Sequence, residues 1–199
     1  GVVTTSATPV DDEASDTVTI RVRATETTFG DFKEANFVIA VNDLNDNALS
    51  AVSDSNVAAN EVDENTAAGT PAGLTGLATD ADRTSNVQYS LISNPGNYFV
   101  IDANSGIVSR SSTALDYEAV QNVTLRIRAQ DLTSGDTQDE DFVVNFGDLN
   151  DNALSAVSDG NASADEMNEE VPEDTVVDLT GLATDADGTA NIEYSLTVN

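Results

Sequence analysis

Three acidic motifs with oxygen-bearing side chains two residues apart recur along the chain: "TDAD" at 79–82 and 184–187, "LDYE" at 115–118 with its relative "VDDE" at 10–13, and "DLNDN" at 43–47 and 148–152. Alternate residues of an extended backbone point to one side, so each pair can present its oxygens to one ion. Hard divalent cations are the chemistry such oxygens serve. Calcium takes about six to eight of them from carboxylates, carbonyls and Asn amides and tolerates irregular geometry, whereas magnesium demands a near-ideal octahedron. A lone acidic pair is equally what an Asx-rich turn contains; three spaced motifs returning together point to the ion. A helix-flanked calcium loop fits poorly. "DLNDNALSAVSD" has acceptors at loop positions 1, 3, 5 and 12, but Ala48 stands where that loop needs Gly, and strand patterns replace its helices.

The motifs return because the chain repeats. Shifted by 105, residues 1–94 fall on 106–199 without a gap, with 49 identities among the 94 pairs. That period matches the size of an independent domain, so each period is one globular module of a linear array. The repeat places one complete module at 48–152, the C-terminal part of a module at 1–47 and the N-terminal part of another at 153–199. We read the chain as a slice of a longer array.

The elements that hold the motifs are strands. In "VTLRIRA" at 123–129, Val123, Leu125, Ile127 and Ala129 alternate with Thr124, Arg126 and Arg128, a period of two with one buried face. The earlier copy "VTIRVRA" points Val18, Ile20, Val22 and Ala24 inward. Each period ends in another strand, carried by Phe142, Val144 and Phe146 or by Phe37, Ile39 and Val41. Further strands are expected around 56–62, 72–78, 87–91, 99–101 and 106–109, punctuated by turn-rich pieces such as "SNPGN" and "LTSGD". Seven short strands in one period argue for an all-β fold, a Greek-key β-sandwich of immunoglobulin-like architecture. The acidic motifs then fall in loops and linkers at the ends of strands, where sandwiches carry function.

Composition narrows the classes. Seven basic residues against 36 acidic give a formal charge of −29, which excludes a clustered basic surface for nucleic acid. With no Cys, neither disulfides nor thiolate metal sites hold the fold. With no His, the commonest general base and transition-metal ligand are missing. No run of 18 apolar residues offers a membrane span. Carboxylate pairs can serve glycoside hydrolysis, but each pair reads better as a metal ligand and no nucleophile motif accompanies them, so the chain is expected not to be an enzyme.

The ordered set "VDEN", "LATDAD", "NVQYSL", "YFVID", "SGIV", "LDYE", "LRIRAQD" and "DLNDN" resembles tandem cadherin repeats over residues 1–199. The resemblance implies seven-strand sandwiches and calcium, typically three ions, at every junction between consecutive repeats. At the first junction it implies Asp11 and Glu13, then Asp43, Asn45, Asp46 and Asn47 from the linker, with Asp80, Asp82, Asn86 and Asp131 from the downstream module. At the second it implies Glu64, Asp116, Glu118, Asp148, Asn150, Asp151, Asn152, Asp185, Asp187 and Asn191. For a third junction, outside the chain, Glu169 matches Glu64 in register, with Glu173 as rival. Ala48 and Leu49, like Ala153 and Leu154, stand where the family usually places Pro, leaving the linker exit less fixed.

Seven carboxylates would meet at the first junction: Asp11, Glu13, Asp43, Asp46, Asp80, Asp82 and Asp131. Pairs some 4 Å apart repel by roughly 1 to 4 kcal/mol, so without metal the modules swivel, and bound calcium locks them. The function expected from the resemblance is a calcium-rigidified adhesion or spacer rod on a cell surface or in a secreted matrix. The absent Cys and the close internal repetition point to a bacterial or archaeal surface protein. The alternative is a carbohydrate-binding cadherin-like module resting on Tyr98 or Tyr117. Expected partners are calcium, a second copy bound homophilically or head to tail into a fibre, and a polysaccharide or another surface protein.

Overall fold

A computed structural model describes residues 1–188 and 191–197. Its strands are β1 (Thr17–Thr25), β2 (Phe32–Ala40), β3 (Ser53–Asp54), β4 (Glu61–Asp63), β5 (Pro71–Leu77), β6 (Val87–Ser93), β7 (Phe99–Ile101), β8 (Ile107–Arg110), β9 (Asn122–Asp131), β10 (Thr137–Gly147), β11 (Ser158–Asp159) and β12 (Gly181–Leu182). A single 3₁₀ turn, Pro95–Asn97, is the one helical piece among the described residues.

The central module is a sandwich of two four-stranded sheets, one in the order β4-β10-β9-β6 and the other β3-β5-β8-β7. Strand alternation builds its core. Val123, Leu125, Ile127 and Ala129 of β9 are 6%, 0%, 0% and 0% exposed, and the opposing sheet covers them with Ala72 and Leu74 of β5 and Val108 of β8, all buried. Phe146 of β10 stacks on Phe99 of β7 with ring centroids 6.1 Å apart, and Tyr98 meets it edge-on at 5.8 Å. The buried Arg110 guanidinium satisfies the carbonyls of Tyr98 and Thr113 at 2.8 and 2.9 Å.

Where one strand was expected over 56–62, only β4 at its end forms, and it lies in a different sheet from β3 just before the span. β3 pairs antiparallel with β5, and β4 pairs parallel with β10. Between them, the Asp54 carboxylate accepts from the Asn56 N–H at 2.9 Å and the Asn56 side chain accepts from the Ala58 N–H at 3.0 Å. These successive Asx turns break the ladder and carry the chain across the sandwich. Val57, which looked like a strand residue, is fully exposed. Opposite the crossing lies Gly73, with φ 76°; a side chain there would run into the Ala59 carbonyl.

The flanking parts keep the register of the repeat without its second layer. β1 and β2 form a hairpin from Thr17↔Ala40 to Thr25↔Phe32. Val18 and Ile20 are half-buried, but Val22 and Ala24, expected inward, are exposed because no sheet faces them. β11 and β12 pair over only two residues each.

Candidate metal centres at the repeat junctions

The linker between the first two modules alternates like a strand. Asp43, Asn45 and Asn47 are half-buried while Leu44, Asp46 and Ala48 are exposed, and Leu49 then enters the core. The buried rank faces the loops of the central module. The Asn45 amide donates to Asp131 at 2.8 Å, and Asn47 donates to Asp82 from its backbone at 2.9 Å and its side chain at 2.8 Å. Asp43 accepts from the Thr84 N–H at 2.8 Å. Asp131, fully buried, also accepts from the backbone of Asn86 and Thr133, both at 2.8 Å. Those N–H groups, with Asn45 and Ser134, hold its carboxyl far below the usual range. Asn86 thus reaches the site through its backbone.

Carboxylates converge on the frame so built. One oxygen from each of Asp12, Glu13 and Asp43 lies within 4.8 Å of the others, and so do Glu13, Asp46 and Asp82. Asp11 caps the turn beneath by accepting from the Glu13 N–H at 3.0 Å. Its side chain is also the main reason that Glu13 is pushed up to about 7, with Asp43 adding to the effect. Burial alone would raise Asp82, but the hydrogen bonds from Asn47 win and hold it below its ordinary value. Asp80 accepts from the Asp82 N–H at 3.0 Å, folding the D-x-D loop back on itself. A cleft of about 290 Å³ lined by Asp11, Asp12, Glu13, Asp46 and Asn47 opens here.

The second junction repeats the plan. Glu64, 2% exposed, accepts from the backbone of Tyr117 at 2.7 Å and of Leu149 at 2.9 Å, tying the D-x-E loop to the linker. It groups with Asp116 and Glu118, and Glu118 groups in turn with Asp151 and Asp187. Asn152 donates to Asp187 from backbone and side chain at 3.0 and 2.9 Å, as Asn47 does to Asp82, and lowers its pKa. Glu118 keeps a favourable backbone hydrogen bond, yet burial, Glu64 and Asp116 oppose its charge and lift it above its ordinary value. Asp185 accepts from the Asp187 N–H at 3.1 Å. Asp148 is half-buried; Asn150 and Asn191 are exposed. Glu169 and Glu173 are both exposed.

The sequence reading missed Asp12, which is 6% exposed and stands where the next repeat has Tyr117. It also missed two side chains that brace the loops. Asn65, at φ 58°, donates to Asp151. The Tyr89 hydroxyl takes the Ala78 N–H at 3.0 Å and returns a bond to its carbonyl at 3.3 Å, a geometry repeated by Tyr194 on Ala183 at 3.0 and 3.3 Å. The recurring spacing of Ala and Tyr was the available signal.

One complete β-sandwich, flanked on both sides by repeat-related segments that meet it at acidic loops, defines a modular repeat protein. The cadherin domain family matches residues 59–146, so the central module is a cadherin domain. Mouse protocadherin Fat 2 is 35% identical over 162 residues, covering 76% of this chain and 4% of that protein. Among solved structures, the protocadherin gammaB7 EC3-6 cis-dimer matches at TM-score 0.69 and 25% identity over 90% of this chain and 45% of its own. The protocadherin gamma B7 extracellular cadherin domains 1-4 match at 0.65 and 26% over 89% and 42%. The chain thus spans a small fraction of that curated relative and under half of each structure.

Proposed function

We propose that the chain is part of an extracellular adhesion or spacer rod whose module junctions are stiffened by calcium. The observation that carries this reading is a set of orphaned oxygens. Of seven side-chain oxygens buried without any hydrogen-bond partner among the described residues, five, Asp12 Oδ2, Asp43 Oδ1, Asn45 Oδ1, Asp80 Oδ2 and Asp148 Oδ1, lie at the two junctions. A buried unpaired polar group costs about 1 to 3 kcal/mol, more when charged. Oxygens alone, several of them anionic and held in place by Asn and backbone donors, are what a hard cation needs and what little else would satisfy. The residues present fit calcium: Asp12, Glu13, Asp43, Asp46, Asp80 and Asp82 would hold it at the first junction, and Glu64, Asp116, Glu118, Asp148, Asp151 and Asp187 at the second. The ion would supply positive charge that turns mutual repulsion into shared coordination.

Calcium titration with chelator reversal tests this, following scattering dimensions and melting temperature. Filling in the range of about 10⁻⁴ to 10⁻³ M, with a longer and narrower particle and a higher melting temperature, is expected. Dimensions and melting that ignore both calcium and chelator overturn it. A similar solved structure, of protocadherin gamma B7 extracellular cadherin domains, supports the extracellular setting. The lack of Cys and the close internal repetition support a microbial surface.

A second reading concerns assembly. The β1–β2 hairpin leaves Phe37 and Ile39, on the face they share with Ile20 and Val18, 52% and 45% exposed, and residues 153–199 carry the early strands such a hairpin would need. Head-to-tail completion between copies would bury both. The carbohydrate alternative is weaker, since Tyr98 and Tyr117 pack against the core instead of standing out as platforms.

A further inference from the structure

The two junctions are built on one plan but differ in a single cation. Of the seven basic residues, Arg21 and Arg23 pair with Glu34, and Arg126 and Arg128 with Asp141 and Asp139, within their own hairpins. Arg110 is buried in the core, and Lys33 lies on β2. Arg83 alone, among the described residues, stands at a junction. It projects from the D-x-D loop of the central module toward the preceding module, with Nε 3.5 Å from Asp12 Oδ2 and a terminal nitrogen 3.7 Å from Asp16 Oδ2. Asp12 has a side chain only 5% exposed, and that oxygen accepts no hydrogen bond. The same Asp12 closes the carboxylate group with Glu13 and Asp43, and Thr84, next to Arg83, holds Asp43. In the second junction the shift of 105 puts Tyr117, Gln121 and Gly188 at the places of Asp12, Asp16 and Arg83. All three charges are gone.

We propose that Arg83 is a tethered counter-ion: it latches the first junction in the absence of metal and competes with calcium for the same carboxylates, so the two junctions stiffen at different calcium levels. The competition rests on the calcium reading above; the latch does not. A guanidinium fixed by its chain near Asp12, Asp16, Glu13 and Asp43 supplies part of the charge that an ion would otherwise bring. The junction therefore repels itself less when empty and gains less when filled. Because the arginine is largely in solvent, the pair is weak and salt-sensitive, which suits a bias and not a lock.

The chain has no Cys, so introduced thiols are the sole labelling sites. Spin labels at Thr28→Cys with Thr124→Cys span the first junction, and Thr124→Cys with Ser163→Cys the second. In chelator at low salt, the first distance distribution should be narrower than the second. It should broaden toward the second in about 1 M NaCl or in Arg83→Gly, and Arg83→Lys should restore part of the narrowing. In calcium titrations, Arg83→Gly should lower the midpoint at the first junction by about two- to fivefold, the scale of an exposed ion pair, and leave the second unchanged. Unchanged distributions in chelator for Arg83→Gly overturn the latch, and equal midpoint shifts at both junctions overturn the competition. If neither junction of the parent chain responds to calcium, the calcium reading falls, and the chelator comparison still decides the latch.

Discussion

The hydroxyl of Tyr89 closes the strand that launches the first D-x-D loop. It is bonded to both backbone groups of Ala78, which is itself 5% exposed, so Asp80 leaves a fixed point. Tyr89→Phe keeps the ring and removes the partner of a buried N–H. A loss of about 1 to 3 kcal/mol is expected, read as a lower urea midpoint with an unchanged slope. Calcium affinity at the first junction should weaken alongside, and the second junction, braced by Tyr194, should not follow. The carboxylate motifs were legible from spacing and recurrence. Asp12 was not, since its importance comes from Arg83, 71 positions further on (83 − 12), and no local period connects them. Asn86 was named only through the family resemblance, and in the structure it bonds Asp131 through its N–H, a role open to almost any residue and so invisible in side-chain chemistry.

At the scale of the element, the β9–β10 hairpin separates what pattern predicts from what it cannot. Its buried rank was readable because β9 is covered along its whole length, and period two then maps directly onto burial. The crossing at 56–62 was not, because its apolar letters mimic alternation while Asp54 and Asn56 divert the backbone into turns. The outer face of the same hairpin carries Arg126 on Asp141 at 2.6 and 2.8 Å and Arg128 on Asp139 at 2.7 and 2.8 Å, both bidentate. The arginines hold both carboxyls below the ordinary value of 3.8. A carboxylate with a depressed folded pKa adds stability that is complete above its unfolded value and is lost as pH falls through the folded one. The double variant Arg126→Gln, Arg128→Gln should therefore have a lower urea midpoint at pH 7. The gap to the parent protein should persist to about pH 4 and close below 3.8. A gap of constant size down to pH 2 would mean the arginines act through packing alone.

Across the whole molecule, identical patterns meet unequal surroundings. Leu125 and Ile127 are fully buried, whereas Ile20 in the earlier copy is half-buried and Val22 is 39% exposed. Leu49 is 3% exposed where its later copy Leu154 is 52%. Burial follows the presence of a facing sheet, not the strand's own letters, and this is why the core-facing pattern recurs in the partial modules while the structure holds one complete core. Local opening costs least where few apolar contacts oppose it. Amide hydrogen exchange should thus be slow in β9 and faster by orders of magnitude in β1, although the two strands share most of their sequence. Concentration then separates the two fates of the open hairpin. If copies complete one another head to tail, protection in β1, β2 and residues 153–188 should rise with protein concentration while β9 stays constant, because association buries the face that carries Phe37 and Ile39. Exchange independent of concentration over a hundredfold range, with sedimentation as a monomer, would mean that no second copy covers the hairpin.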